Sequence, residues 1–263
     1  MLTTSVIIIL REVLEISLMV SIMLAVSRKL EMSLHWFFFS VLAGVTGSFG
    51  YAASVRIVSN SMDGIGQEIT DASIQILTYV LTAIVVRILL SPSLFNGERN
   101  KLLMLTMSAC VFTAITREGY EIVIYVGGFI SEPSTLLPVA IGSIIGAGIG
   151  MSIGAIFYYA LVSIGKYRSV KIYSYALILV ASGLLLQASL LLTQADILPS
   201  QDYLWDTSGL ISEYSITGQM LYALLGYEAT PTPAQVAIYI GGIIFLTVIG
   251  NYTNSTNPTR GSQ

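Results

Sequence analysis

Charged residues, cysteine and histidine are scarce in this sequence, and each scarcity excludes a class of protein. Only 10% of the 263 residues are charged, whereas soluble domains carry about 25%, so we expect an integral membrane protein. The single cysteine, Cys110, excludes a disulfide within the chain and a cluster of thiolate ligands. The single histidine, His35, excludes a histidine-rich metal site. The sequence contains no P-loop, so we expect no use of ATP by this chain.

Long apolar runs fill most of the chain. Seven of them are long enough to cross a bilayer as helices, which takes about 20 residues. The fold class that we predict is an all-α integral membrane protein with seven transmembrane helices and no separate soluble domain. The predicted spans are Leu2–Val26, Trp36–Val55, Ile69–Leu90, Leu102–Ile130, Leu136–Gly165, Ile172–Thr193 and Ala234–Tyr252.

Basic residues are distributed unequally between the two sets of loops. One set carries nearly all of them, whereas the opposite set carries Arg56. Because basic loops stay in the cytoplasm, we predict that the N-terminus lies outside the cell membrane and the C-terminus in the cytoplasm. Acidic residues collect on the outer side, which should attract cations. The cytoplasmic set consists of Arg28, Lys29, Arg99, Lys101, Lys166, Arg168 and Lys171, with Arg87 at a helix end and Arg260 in the tail.

Two of the predicted spans carry charged residues near their middle, in the same pattern. Arg11-Glu12-Val13-Leu14-Glu15 lies in the first span, and Arg117-Glu118-Gly119-Tyr120-Glu121 lies in the fourth. Charges at this depth cost at least about 2.5–3.5 kcal/mol each. On a helix, residues three and four positions apart share a face. Each motif therefore presents two carboxylates and one arginine together.

A second similarity follows each motif and indicates an internal repeat. The motifs are 106 residues apart, and Ala43–Gly50 matches Ala147–Gly154 at a spacing of 104 residues. Three spans per repeat is an odd number, so the second copy must run in the opposite direction. Inverted repeats commonly place a substrate site near the midplane, where they meet. Within a single transmembrane permease domain we predict repeat one at about 1–95, repeat two at about 100–195, an outer loop at 196–230 and one extra C-terminal helix at about 234–252.

Small residues predict where helices pack closely. Glycines recur along one stripe in the second span and again in the fifth, which lets a neighbouring helix approach. The glycines of the two stripes are Gly44, Gly47, Gly50, Gly146, Gly150 and Gly154.

The outer loop contains one further helical pattern. Apolar residues between Ser215 and Gly226 form a single stripe, which predicts a short helix at the outer membrane interface. Pro231 and Pro233 then separate it from the last span.

The residue types of the two motifs indicate a cation site. Oxygen ligands suit hard cations, whereas thiolate, thioether and imidazole suit softer ones. Each motif has one carboxylate more than its arginine can neutralise, and a buried excess charge needs a partner. The alternative is that the motifs are structural salt bridges that hold two helices together. Two methionine pairs, Met19 with Met23 and Met104 with Met107, fit either a copper site or apolar packing, and packing is the commoner role.

The paired motifs in a seven-span chain resemble the oxidase-linked, high-affinity iron permease family. Segments of the outer loop resemble its bacterial branch, with WDTS at 205–208, EYS at 213–215 and LLGYE at 224–228. QEITDA at 67–72 resembles the paired-acid start of the family's third span. Tyr222 stands where many bacterial relatives carry a histidine. The resemblance covers essentially the whole chain.

The resemblance implies a membrane permease that moves iron ions into the cell through a buried carboxylate site. Arg11 and Arg117 would neutralise and orient the carboxylates, because a guanidinium is a planar fork. Glu68 and Asp71, three residues apart at the outer end of the third span, are candidate entry acids. The metal ligands that the resemblance implies are Glu12, Glu15, Glu118 and Glu121.

The same resemblance sets the expected partners and leaves two alternatives. We expect no enzymatic activity and no permanently bound cofactor, since the iron ion is the transported substrate. Iron and the lipid bilayer are the expected partners, an extracytoplasmic oxidase or iron-delivery protein and a second copy of the chain are further candidates, and no nucleic acid is expected. The alternatives are a membrane scaffold and an intramembrane di-iron carboxylate enzyme, although such enzymes typically need Glu-x-x-His pairs.

Overall fold

The computed structural model describes residues 1–90, 97–164 and 169–251, and every regular element in these ranges is helical. One 3-10 turn, Met62–Gly64, precedes the third α-helix. The α-helices are α1 (Leu2–Lys29), α2 (His35–Ser59), α3 (Gly66–Leu90), α4 (Gly97–Gly127), α5 (Pro133–Val162), α6 (Ser169–Gln194), α7 (Ile216–Leu225) and α8 (Pro233–Asn251).

Each of the seven predicted spans corresponds to one long helix, and the ends differ by five residues or fewer. Five helices, α2, α3, α5, α6 and α8, are long and apolar enough to cross a bilayer. The other two, α1 with 28 residues and α4 with 31, each carry one of the charged motifs. The prediction of an all-helical membrane protein with several spans is therefore confirmed.

The helices pack in three principal pairs, α1 with α5, α2 with α4 and α3 with α6. Glycines permit the close approach of the helices in the first two pairs. A Cβ atom at Gly146 would lie 2.5 Å from the carbonyl oxygen of Val6, and one at Gly44 would lie 2.7 Å from Ile115 Cβ. A larger residue would therefore force the helices apart. The predicted close packing is confirmed except at Gly50, which has no atom within 4 Å of its Cβ position. The same close approach occurs at Gly47, Gly150 and Gly154.

Two glycines, one on α2 and one on α5, make similar contacts with the neighbouring helix. Gly44 lies against Ile115, and Gly146 lies against Ile9, which precedes Ile115 by 106 residues. Gly148, which the 104-residue spacing pairs with Gly44, has no atom within 4 Å of its Cβ position. Gly44 and Gly146, which make these similar contacts, are 102 residues apart, whereas the sequence similarity pairs positions 104 residues apart. The repeat and its register stay predictions, because short glycine-rich segments align in several ways, whereas only one face of each helix packs.

Basic residues lie together at one end of the bundle. Arg28, in the last turn of α1, donates to Tyr158 Oη at 3.4 Å, and Arg87, in the last turn of α3, donates to the carbonyl oxygen of Ile249 at 3.0 Å. Arg56 lies in the last turn of α2, whose direction is opposite to that of α1 and α3. The positions that also entered the orientation argument but lie outside the described residues are Lys166, Arg168 and Arg260.

The loop between α6 and α8 contains the predicted short helix, α7. Ser215 caps its start by accepting a hydrogen bond from the backbone nitrogen of Gly218 at 3.0 Å. Gly226 ends it with a φ of 64°, a conformation that glycine adopts without strain. Met220 and Leu224 of the apolar stripe pack against a buried cluster in which Ala223 joins Leu14 of α1, whereas Ile216 and Leu225 are exposed. This helix of the outer loop therefore also covers the first motif.

Candidate metal centre

Three glutamate side chains from two helices meet in the interior. Glu12 and Glu15 on α1 and Glu118 on α4 each offer one carboxylate oxygen, and these oxygens lie within 4.8 Å of one another. All three side chains are buried. The spacing of three residues places the first two on one face of α1, and α1 contacts α4 directly. The structure thus brings both motifs into one cluster, which we call the carboxylate cluster.

Glu121, the fourth predicted ligand, lies outside the carboxylate cluster. Its Oε1 is 2.8 Å from Arg117 Nη2, and its side chain is 33% exposed, compared with 3% for Glu118. The two glutamates are about one helical turn apart on α4, so one lies deeper than the other. Three of the four predicted ligands therefore converge, and the fourth lies nearer the helix end.

Arg117 links carboxylates of both motifs. Its Nη1 lies 2.6 Å from Glu118 Oε1 and 3.8 Å from Glu15 Oε2, while Nη2 binds Glu121. A guanidinium presents several donors in one plane, so it can contact carboxylates in different directions. The charge of this buried arginine is therefore shared between the helices.

Arg11 has a different environment from Arg117. Its Nε lies 3.4 Å from Glu15 Oε1, and its Nη2 donates to Tyr222 Oη at 2.9 Å. Its guanidinium carbon also lies 4.5 Å from the centre of the Tyr222 ring, which is a cation–π geometry. Its side chain is 37% exposed, compared with 7% for Arg117. The two motif arginines are thus not equivalent, since α7 supplies a partner to only one of them.

Glu12 is the member of the carboxylate cluster for which the described residues supply no positive partner. Among the described residues, the ion pairs of the two motifs involve Glu15, Glu118 and Glu121. Glu12 Oε2 is buried and has no hydrogen-bond partner among these described residues. The sequence predicted one excess carboxylate in each motif. The structure instead leaves Glu12 as the motif glutamate without an ion pair among the described residues, because Arg117 reaches both glutamates of its own motif.

Two buried glutamines extend the carboxylate cluster and were missed by the sequence analysis. Gln187 on α6 donates its Nε2 to Glu15 Oε2 at 2.8 Å, and Gln75 on α3 donates its Nε2 to Gln187 Oε1 at 2.6 Å. Arg117 Nη1 donates to the same Gln187 oxygen at 3.4 Å. An amide side chain in an apolar span needs a hydrogen-bond partner from another helix. The presence of glutamine within two predicted spans was therefore the sequence signal that could have indicated these contacts.

A cavity of about 420 Å³ adjoins this centre at the start of α3, and we call it the entry cavity. Glu68, Asp71 and Glu121 line it, so both candidate entry acids share it with a motif glutamate. Asp71 is buried, and its two oxygens accept hydrogen bonds from Tyr51 Oη at 2.8 Å and from Tyr120 Oη. Glu68 Oε2 has no hydrogen-bond partner among the described residues. Glu68 is therefore the better placed of the two acids to contact a cation.

A second cavity, of about 20 Å³, lies further along the same helices. Its α3 lining consists of residues 74, 75 and 78, whereas the entry cavity is lined by residues 67, 68 and 71. Its volume corresponds to about one water molecule. We call it the inner cavity, and the carboxylates of Glu15 and Glu118 form part of its wall.

The methionine pairs lie in the apolar interior. Met19, Met23 and Met107 belong to the main hydrophobic core, and Met104 packs against it. This placement supports the packing interpretation. The copper alternative gains no support from it.

Loop segments that carry the family resemblance bind one another. Thr207 donates its backbone N–H to the Ala229 carbonyl oxygen at 2.9 Å, and its Oγ1 lies 2.8 Å from Tyr227 Oη. The hydroxyl and the backbone N–H of Ser208 both donate to Asp206 Oδ1, which lowers the pKa of Asp206. These contacts hold the two ends of the loop together around α7. They therefore help to position the tyrosine that contacts the first motif.

The sequence matches the model of the Iron permease FTR1 family over residues 2–253, nearly the whole chain. The chain belongs to this family. Relatives named ferrous iron permease EfeU are 29% identical over 133 residues in Yersinia pestis and 25% identical over 130 residues in Shigella flexneri. The alignments cover 50% and 49% of this chain and 46% and 55% of the two relatives, so the chain matches about half the length of each. No solved structure matches the chain.

The match over residues 2–253 confirms the predicted resemblance to the iron permease family. Together with the five long apolar helices, it establishes a multi-pass membrane protein. The family is one of permeases, which agrees with the expectation that the chain is not an enzyme.

Proposed function

We propose that this chain carries ferrous iron across the membrane through the carboxylate cluster. The observation that supports it best is the burial of three carboxylates at one point, with Glu12 lacking a positive partner in the described chain. An isolated buried charge is costly, and a bound cation would supply the missing charge. The name of the relatives, ferrous iron permease, supports iron in its divalent state as the cargo.

The charge balance at the site also supports a divalent cargo. The two motifs contain four glutamates and two arginines, which leaves two negative charges in excess when all are ionised. One Fe²⁺ ion would neutralise this excess. A hard divalent cation takes about six oxygen ligands. Three carboxylates from two helices, with water in the remaining positions, would satisfy that requirement, whereas neither motif would do so alone.

We further propose that seven helices, α1–α6 and α8, cross the membrane and that α1–α3 and α4–α6 form two inverted repeats. The helix pairing supports this arrangement. Exchanging each helix of the first three with its counterpart turns the α1–α5 pair into α4–α2 and leaves the α3–α6 pair unchanged. A two-fold axis in the membrane plane requires such an exchange. The extra helix, α8, packs on α3 and α6.

The charge distribution supports an N-terminus outside and a C-terminus in the cytoplasm of the cell, and thiol labelling tests this orientation. Leu210 is 85% exposed in the outer loop, and Glu31 is exposed between α1 and α2. Each would be replaced by cysteine after Cys110→Ser removes the buried native thiol. An impermeant reagent should label residue 210 in intact cells and residue 31 only after permeabilisation. Labelling of residue 31 from outside would reverse the orientation.

We propose that Glu68 and Glu121 attract the cation into the entry cavity, with Asp71 held beside them by two tyrosines. Glu68→Gln should then raise the ferrous concentration needed for half-maximal uptake, because charges at an entrance act mainly on the rate of association. The amount of iron bound at saturation should not change. Glu132→Gln, an exposed substitution in the loop that follows α4, is the matched control. An unchanged concentration dependence in Glu68→Gln would remove this residue from the entry route.

Uptake into vesicles tests the proposed function directly. Vesicles that contain the purified chain should accumulate ferrous iron kept reduced by ascorbate, whereas chain-free vesicles should not. Ferric citrate should not be accumulated, since the proposed cargo is divalent. Absence of ferrous uptake by correctly folded protein would favour the scaffold alternative, in which the Arg117 bridges only hold α1 and α4 together.

The other predicted partners are not needed for this experiment. An extracytoplasmic oxidase or iron-delivery protein and a second copy of the chain remain predictions from the family resemblance. The di-iron enzyme alternative is disfavoured, because the only histidine in the sequence, His35, is exposed at the start of α2. We continue to expect iron as substrate and no permanently bound cofactor.

A further inference from the structure

The hydrogen bonds between Glu15 and the two glutamines have a fixed direction. An ionised carboxylate only accepts hydrogen bonds, so Gln187 must direct its amide nitrogen to Glu15, at 2.8 Å. Its carbonyl oxygen then accepts from Gln75 Nε2 at 2.6 Å, and Arg117 donates to the same oxygen. Both donors require this orientation of Gln187. The carbonyl oxygen of Gln75 is therefore directed away from the other glutamine.

Gln75 Oε1 is a buried acceptor to which the described part of the chain offers no donor. The residue is 1% exposed, and no described residue donates a hydrogen bond to this oxygen. Gln75 lines the inner cavity, next to the carboxylates of Glu15 and Glu118. Leaving a buried acceptor unpaired costs free energy. A bound cation or a water molecule in the cavity would supply the missing interaction.

Two threonine hydroxyls lie in the wall of the same cavity. Thr113 Oγ1 donates to the backbone of its own helix, at 3.0 Å from the Ala109 carbonyl oxygen. Thr78 Oγ1 lies 2.8 Å from the Ile74 carbonyl oxygen of its own helix and 2.8 Å from Thr113 Oγ1, so the two hydroxyl protons serve three contacts. At most one of these hydroxyl oxygens accepts a hydrogen bond from the other, and each keeps at least one lone pair. Both hydroxyls therefore have acceptor capacity that the described hydrogen bonds do not use.

We propose that the inner cavity is a second cation site, which receives ferrous iron from the carboxylate cluster through Gln75 Oε1 and the hydroxyls of Thr78 and Thr113. The inference rests on the proposed transport of ferrous iron. A cavity that holds about one water molecule is too small for a hydrated ion. The ion must therefore exchange water for these oxygens while it remains in contact with Glu15 or Glu118.

Neutral ligands suit a site that an ion must leave again. Conduction requires binding that is strong enough for entry and weak enough for release. Amide and hydroxyl oxygens carry no full charge, so they hold a cation less tightly than carboxylates do. The inner cavity would thus accept the ion from the stronger site and release it toward the other face of the membrane.

Substitutions of Gln75 separate a cation ligand from a structural glutamine. Gln75→Leu removes the oxygen, and ferrous uptake into vesicles should fall about 10–100-fold, the range seen when residues that support a metal site are lost. Iron bound to the carboxylate cluster in detergent should persist. Gln75→Glu adds a charge to the same position, so it should tighten ferrous binding while slowing uptake. A purely structural role would weaken both measurements together, and uptake in Gln75→Leu within twofold of wild type would overturn the proposal.

The threonines provide a matched pair on one helix. Thr106 and Thr113 are both buried on α4, and each hydroxyl bonds the carbonyl oxygens three and four residues before it. Only Thr113 also faces Thr78 and the inner cavity. Thr113→Val should therefore slow uptake, Thr113→Ser should retain it, and Thr106→Val should resemble wild type. Equal uptake in Thr113→Val and Thr106→Val would overturn the second site.

Failure of the second site is distinguishable from failure of the proposed function. If wild-type protein neither binds nor accumulates ferrous iron, the carboxylate cluster is not a transport site, and the inference about the inner cavity falls with it. If wild type does both and the Gln75 and Thr113 variants behave like it, transport stands. In that case the inner cavity holds only water.

Discussion

Arg117→Lys should reduce iron uptake about 10–150-fold, whereas Arg11→Lys should reduce it at most about fivefold. The buried guanidinium of Arg117 contacts Glu118 at 2.6 Å and Glu121 at 2.8 Å through different nitrogens. A lysine ammonium is a compact charge and cannot keep both contacts. At least one hydrogen bond to a buried charge is then lost, worth about 1.5–3 kcal/mol.

Arg11 should be more tolerant because its side chain is partly exposed and its pair with Glu15 is longer, at 3.4 Å. Exposed pairs contribute about 0.2–1 kcal/mol. Its contact with Tyr222 would be weakened by lysine but not abolished, since an ammonium also binds an aromatic face. Initial uptake rates, normalised to the protein recovered in the membrane, provide the measurement. Equal losses in the two variants would show that the motif arginines are equivalent in spite of their different environments.

Glu12→Gln and Glu118→Gln should each lower the affinity for ferrous iron by at least about 100-fold, the upper end of the range for residues that only support a metal ligand. The double variant should lose little more than either single variant. Both residues belong to one cluster, with oxygens within 4.8 Å, and residues that act as a unit are non-additive. Titration of purified protein with ferrous iron measures all three variants.

Glu121→Gln serves as the internal comparison for this series. Its carboxylate lies outside the cluster and on the entry cavity, so it should slow uptake more than it weakens equilibrium binding. Two independent sites, one for each motif, would instead leave about half of the bound iron in each single variant. That stoichiometry would contradict the shared cluster.

Much of the helical framework could be predicted because its signal is local. The apolar runs had membrane length, and α7 was visible as an apolar stripe between Ser215 and Gly226. The spacing of Glu12 and Glu15 placed them on one helix face before any tertiary contact was known. The convergence of the two motifs followed from their repetition in matching spans, a pattern that charges scattered in loops would not produce.

The remaining parts of the centre depend on contacts between distant segments. Tyr222 lies 211 residues from Arg11, and Gln187 lies 172 residues from Glu15, yet each supplies a hydrogen bond. Only the packing of α6 and α7 against α1 brings these groups together, and no periodicity in the sequence reports it. The unequal roles of Glu118 and Glu121 arise in the same way, because the packing of other helices around α4 decides which of its two glutamates is buried.

The glycine contacts between α1 and α5 have a mechanical consequence. At Gly146 the backbones meet with no side chain between them, and sliding one helix along the other would drive the next side chain into a carbonyl group. Each tightly packed pair should therefore move as one rigid body, with α1 moving together with α5 and α4 together with α2. Glu12 belongs to the α1–α5 pair, and Glu118 belongs to the α4–α2 pair. The distance between these two carboxylates, and with it the radius of the ion that fits between them, is then set by the angle between the two helix pairs.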